Sequence, residues 1–187
     1  MKSYPFITQK YTNSVVSIDL VKQWLEMDIA GYDGKDDLIK ACIASAVSSV
    51  ETECNFELGI SSYEWNTFGL PCEIRDTYHI QTIDSIAYKG GDSPESDGYT
   101  IIHSNMYELM RVSKRRSSIF WHPSLPDLKA DLVKVKFKAG LETVPDDLLQ
   151  AIRARIGEHF VNRGDGVSEK RTLSDKLLSP YVIPYVG

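Results

Sequence analysis

Apolar positions along the chain change their spacing twice, from helical to alternating and back to helical. After Ser17, whose hydroxyl suits an N-cap, Leu20, Val21, Trp24 and Leu25 recur three and four apart, and Gly31 closes a short first helix. A second helix begins near Asp36 and Asp37, whose negative charge suits a helix N-terminus. It carries Ile39, Ile43, Ala46, Val47, Val50 and Cys54 along one stripe. Small residues such as Ala41, Ala44, Ser45 and Ser48 allow another helix to approach it closely.

From about residue 60 to 140 the period falls to two, in short runs of β-branched and aromatic residues divided by turn signals. Strands are predicted at Ser62 to Phe68, Glu73 to Arg75, Ile83 to Tyr88, Tyr99 to Ile102, Tyr107 to Val112, Ser117 to Trp121 and Leu132 to Lys138. The last is the clearest. Val133, Val135 and Phe137 point one way, Lys134, Lys136 and Lys138 the other.

Helical spacing then returns. Thr143 and Asp146 have capping-box spacing, Pro145 stands in the first turn, and Leu148, Leu149, Ile152, Ile156 and Phe160 form a stripe that ends before Gly164. A polar stretch follows. Leu173, Leu177, Leu178, Tyr181, Val182, Ile183, Tyr185 and Val186 then crowd the final residues, with Pro180 and Pro184 preventing a continuous helix. An apolar segment of this kind needs a surface to cover it. The pattern predicts an α+β fold, a small bundle of three or four helices with a β-rich insertion between helix 2 and helix 3. A single domain over 1–187 is expected, with a helical body at 17–57 and 143–163, the insertion at 60–140 and a docking tail at 164–187.

Composition narrows the class. The chain has 187 residues, 42% of them apolar, with a formal charge of −5, which suits a domain that needs neither disulfides nor a structural metal to hold its core. No apolar run approaches the roughly 18 residues of a membrane span, and the first residues lack the continuous apolar stretch of a signal peptide. A cytoplasmic site of synthesis and no membrane partner are expected. Cys42 and Cys54 fall on one helix, about 18 Å apart along its axis, so they do not bond each other, and Cys72 stands alone. His79, His103, His122 and His159 are scattered. No phosphate-binding glycine loop, nucleophile elbow, calcium loop or metal-ligand spacing is present. No catalytic residue, cofactor or metal is expected, and the chain reads as a non-enzyme.

Two basic features remain, Lys114-Arg115-Arg116 in a turn and the Lys134, Lys136, Lys138 stripe. They form a possible contact surface for phosphates or an acidic partner, although the net charge is negative and the excess acid lies mostly in the first helices.

The order of these features resembles a phage family, the head-to-tail connector (adaptor or head-completion) proteins of long-tailed phages and prophages. The matching stretches are Ile18 to Leu25, Asp36 to Ile39 leading to Val50-Glu51 and Cys54 to Phe56, Val133 to Gly140, Val144 to Ile152, and Leu177 to Tyr181. No single motif is specific; their order and separation carry the likeness. The resemblance implies a structural virion assembly protein at the neck, assembled in the bacterial host cytoplasm. About twelve copies would form a closed ring beneath the portal protein, meeting a downstream neck or tail-completion protein and prolonging a channel that DNA crosses without sequence-specific binding. Leu177, Leu178, Tyr181, Ile183 and Tyr185 are the expected contacts with the portal or a neighbouring copy. The alternative is a nucleic-acid-binding DNA-packaging factor that uses the basic residues.

Overall fold

The structure of the chain, a computed structural model, describes residues 4–12, 15–25, 36–75, 79–90, 98–113, 116–123, 132–161 and 172–182. It divides into two compact units, one of strands (Met1–Tyr11 with Gly59–Glu142) and one of helices (Thr12–Leu58 with Thr143–Gly187).

The helical unit contains α1 (Ile18–Trp24), α2 (Asp36–Cys54), α3 (Asp146–Val161) and α4 (Leu173–Leu178). Ser17 caps α1 as its sequence position predicts, its hydroxyl accepting from the Leu20 N–H at 3.3 Å. At the other end of α2, Asn55 adopts a left-handed φ of 58°, and the buried Glu51 carboxylate accepts from the Leu58 N–H at 3.0 Å. That pair of local contacts turns the chain out of the helix. Helix α3 packs on both α2 and α4, and α1 packs on α2. The core joins Val21, Ile39, Ala46, Val50, Leu148 and Ile152, all fully buried.

Several details differ from the pattern. Val47, Leu149 and Phe160 are only half-buried, whereas Cys42, Ala151 and Arg155 are buried. The true stripe of α3 is therefore Leu148, Ala151, Ile152, Arg155 and Ile156, rotated slightly from the expected one. The first α3 hydrogen bond runs from the Leu149 N–H to the Pro145 carbonyl, so Pro145 stands just before the helix and Thr143 does not cap it. Ala41, Ala44, Ser45 and Ser48 lie on the exposed side of α2. Gly31 and Gly164 fall outside the described residues.

The strand unit holds β1 (Phe6–Gln9), β2 (Ser61–Thr67), β3 (Glu73–Arg75), β4 (Ile80–Lys89), β5 (Thr100–Ile102), β6 (Tyr107–Ser113), β7 (Arg116–Trp121) and β8 (Leu132–Ala139). They make two antiparallel sheets, one in the order β1-β2-β8-β4-β5 and one in the order β3-β7-β6. All seven predicted strands exist, to within a few residues at their ends. The eighth, β1, has no alternating pattern to reveal it, because its four residues are all exposed and among the described residues it pairs with β2 alone.

Strand β8 is the middle strand of the larger sheet, and its alternation matches one buried face. Val133, Val135, Phe137 and Ala139 are fully buried and form one core with Ile80 and Ile86 of β4, Ile74 of β3 and Ile119 of β7. Tyr63 stacks on its cross-strand partner Phe137, with ring centroids 5.4 Å apart. The strand ends at Gly140, which has a φ of 127° and whose missing Cβ would stand 2.1 Å from the Gly59 carbonyl oxygen. Only glycine satisfies both the dihedral and the approach.

Candidate functional site

The candidate tail residues fall partly on α4, a helix of six residues that the proline pattern does not foreshadow. It is nucleated by a full capping box. The Thr172 hydroxyl accepts from the Asp175 N–H at 3.3 Å, and the Asp175 carboxylate accepts from the Thr172 N–H at 2.8 Å. Leu178 points inward and is fully buried, while Leu177 and Tyr181 are half-buried and Leu173 is exposed. The chain then turns, with the N–H groups of Tyr181 and Val182 both donating to the Leu178 carbonyl, at 2.8 and 3.2 Å. Leu178 is thus spent on the core of its own unit, and Leu177 and Tyr181 keep part of their surface. Ile183 and Tyr185 lie outside the described residues.

A single cation fixes this helix. Arg155 of α3 is 8% exposed, and its guanidinium donates to four side chains on two elements. Nε reaches Ser174 Oγ at 3.1 Å, Nη1 reaches Ser49 Oγ at 2.5 Å, and Nη2 serves Glu53 Oε2 and, at 3.5 Å, Asp175 Oδ1. Helices α2, α3 and α4 are tied through one planar fork, a geometry that suits arginine and not lysine. Sequence reasoning missed this cluster because a charge on a helix reads as solvent-facing. The signal that was available is the Thr172-x-x-Asp175 spacing.

The electrostatics follow from the geometry. The Thr172 backbone N–H, opposed by partial burial and aided by the Thr172 hydroxyl and the Arg155 charge, holds the Asp175 carboxyl below its ordinary value of 3.8. A carboxyl whose folded value lies below its unfolded one stabilises the fold above the unfolded value, and the contribution disappears as pH falls through the folded one. Amide exchange should therefore show α4 losing protection before α3 as the solution is acidified through and below the carboxylate range; equal loss in both helices would contradict this anchoring. The Cys54 thiol, buried and beside Glu53, is pushed up to about 11 against the opposing pull of Arg155, which leaves it a protonated packing group. Burial, with Asp147 and Cys54 nearby, raises the Tyr181 hydroxyl.

The described residues of the two basic features lie on two different sheets. Lys134, Lys136 and Lys138 occupy the polar face of β8, the middle strand of the larger sheet, whereas Arg116 lies on β7 in the smaller one. Lys134 sits 3.7 Å from Glu64 and 4.8 Å from the centre of the Tyr99 ring, and Lys138 is 4.0 Å from Asp84. Arg116 pairs with Glu73. Lys136 is exposed, with no ion-pair partner among the described residues. Lys114 and Arg115 lie outside them. Two of the three lysines of the stripe thus have a carboxylate within 4.0 Å.

Among the described residues no group of three or more His, Cys, Asp or Glu is placed to hold a metal ion, and no helix is long and apolar enough to cross a membrane.

No protein-family model matches the chain, and no curated protein does. Solved structures do. A chain from the neck of an empty gene transfer agent particle, computed with C6 symmetry, superposes with a TM-score of 0.67 at 15% identity, covering 95% of this chain and 96% of that one. A chain from the virion of a native gene transfer agent particle gives 0.67 at 14% identity, covering 98% and 97%. A third, from the neck of the native particle computed with C12 symmetry, gives 0.61 at 14% identity, covering 97% and 98%. Both units are included in these superpositions, so this α+β chain with its strand-rich insertion shares its whole fold with chains from the neck of gene transfer agent particles.

Proposed function

We propose that the protein is a structural subunit of the neck of a phage-like particle, a head-to-tail connector without catalytic activity. The observation that carries the reading is the end-to-end likeness to gene transfer agent neck chains, which leaves almost none of either chain unmatched. About twelve copies form a closed ring on the portal, prolong the DNA channel and present a platform to the next neck or tail-completion protein. The C12 and C6 symmetries in which those neck structures were computed are consistent with such a ring. Assembly takes place in the host cytoplasm, and the finished ring resides in the virion neck.

Closure requires two different, complementary patches on each subunit. Leu177 and Tyr181, with Ile183 and Tyr185, supply one apolar patch that meets the portal or a neighbour, while Leu178 anchors it from inside. The carboxylate partners of Lys134, Lys138 and Arg116 favour passive passage of DNA over its capture, because each phosphate bound by a free cation adds salt-dependent affinity. Lys136, with Lys114 and Arg115, is the remaining basic contact candidate.

Particles made without the protein should fill with DNA, then fail to retain it and fail to gain tails, as seen by electron microscopy and nuclease protection. Normal tailed, filled particles in its absence would overturn the reading. Since Leu178 and Ser174 are buried, the truncation that tests docking is removal of residues 183–187 rather than of α4.

A further inference from the structure

Charge divides unequally between the two units. The strand unit carries 12 Lys and Arg against 11 Asp and Glu, whereas the helical unit carries 9 against 15, so the excess negative charge of the chain lies entirely in the helical unit. In a ring of identical copies, contact between two helical units sets like net charges against each other, and contact between two strand units gains nothing from charge. A strand unit of one copy against a helical unit of the next is the pairing that charge favours. It also joins two different surfaces, as closure requires.

The strand unit offers an open face for this contact. Cross-strand partners share a face, which places Phe6, Glu64, Lys136 and Ser85 in one row of the larger sheet and Lys134, Ala87 and Ile101 in the next. Glu64 stands directly opposite Lys136, yet the lysine it pairs with, at 3.7 Å, is Lys134. Lys136 is left exposed, with no ion-pair partner among the described residues. At the two margins of the face Phe6 and Ile101 are 50% and 56% exposed, so an unbalanced positive charge is flanked by apolar contact area.

The helical unit offers the complement at the start of α3. Asp36, Asp37, Glu53 and Asp175 each face a lysine or arginine of their own unit. Asp146 and Asp147 are exposed in the first turn of α3, with no ion-pair partner among the described residues. Burial and then the Asp147 charge raise the Tyr181 hydroxyl, so this acidic turn borders the half-buried Tyr181 ring.

We infer that the outer face of the larger sheet, centred on Lys136, receives Asp146, Asp147 and the Tyr181 ring of a neighbouring copy. The inference rests on the ring reading and commits the Tyr181 patch to a second copy.

A charge exchange in the full-length chain tests it. Lys136→Glu and Asp147→Lys should each raise the concentration for half-maximal assembly onto portal-bearing heads by about tenfold or more, because each sets like charges face to face. The chain carrying both substitutions restores an opposite pair at every contact and should recover most of the loss. Independent folding defects would add and could not produce that recovery. Losses that add in the double variant, or unchanged assembly of both single variants, would overturn the proposal. Thermal melts at high dilution provide the second measurement, in which the two substitutions should act independently; coupling there would place the charge pair within one chain and overturn the proposal as well. Each of these results would remove this inference alone, whereas normal particles lacking the protein would remove the neck reading.

Discussion

Ile152→Asp should abolish cooperative folding of the helical unit, while Leu149→Asp should leave it folded with a lowered melting temperature. Ile152 is fully buried and Leu149 half-buried, although both lie on the apolar stripe expected from spacing. The first change removes a packed side chain, at about 2–5 kcal/mol, and buries an unpaired carboxylate at a cost of several more. Together these approach the whole stability of an ordinary domain, about 5–15 kcal/mol. The carboxylate at position 149 can turn to water, so its cost should stay below about 2 kcal/mol. Circular dichroism melts of the two variants check the ordering. An Ile152→Asp protein that melts within a few degrees of the original would show that α3 presents a different face to its neighbours.

The contrast between these two positions also shows what the sequence made legible. Where one face is wholly buried and the other wet, periodicity identified the element and its orientation. In β8 the alternation of Val133, Val135 and Phe137 with three lysines predicts the strand and its buried side, and the structure agrees, whereas its place in the middle of the sheet depends on non-local pairing that the alternation does not reveal. On α3 the stripe is broader than a single face, and spacing alone did not distinguish Leu149 from Ala151, which is small yet fully buried. Strand β1 was invisible because an edge strand with four exposed residues owes its place to pairing with β2, not to its own pattern. Helix α4 is too short for periodicity to register. Its existence rests on the Thr172–Asp175 box and on a buried arginine nineteen residues earlier, a non-local contact that no local pattern announces. The docking candidates divide for the same reason: Leu178 reads like Leu177 in sequence, yet one is core and the other half-exposed.

That buried arginine leads to the second large effect. Arg155→Ala should detach α4 while the rest of the helical unit stays folded, at a cost of about 2–3 kcal/mol. Removing one partner of a buried ion network commonly costs about 3–5 kcal/mol, because the groups left behind lose their compensation. Here the side chains of Glu53 and Asp175 keep 35% and 34% exposure, so water recovers part of that loss and the lower end applies. Ser174, 1% exposed, loses the donor to its hydroxyl and adds to the cost. Lysine at this position should restore little, since one ammonium cannot serve Ser49 and Glu53 on α2 together with Ser174 and Asp175 on α4. Arg155→Met combined with Glu53→Leu should regain only part of the stability, because it removes the charged pair together but leaves Ser174 and Asp175 without their donor. Denaturation midpoints measure all three variants, and protease sensitivity near residue 173 reports the release of α4. If Arg155→Ala leaves both unchanged, the fork is not what holds α4, and the apolar packing of Leu178 alone must account for it. If it releases α4, Leu177 and Tyr181 lose their fixed place in a variant whose remaining helices are intact, and the docking proposed for them should weaken.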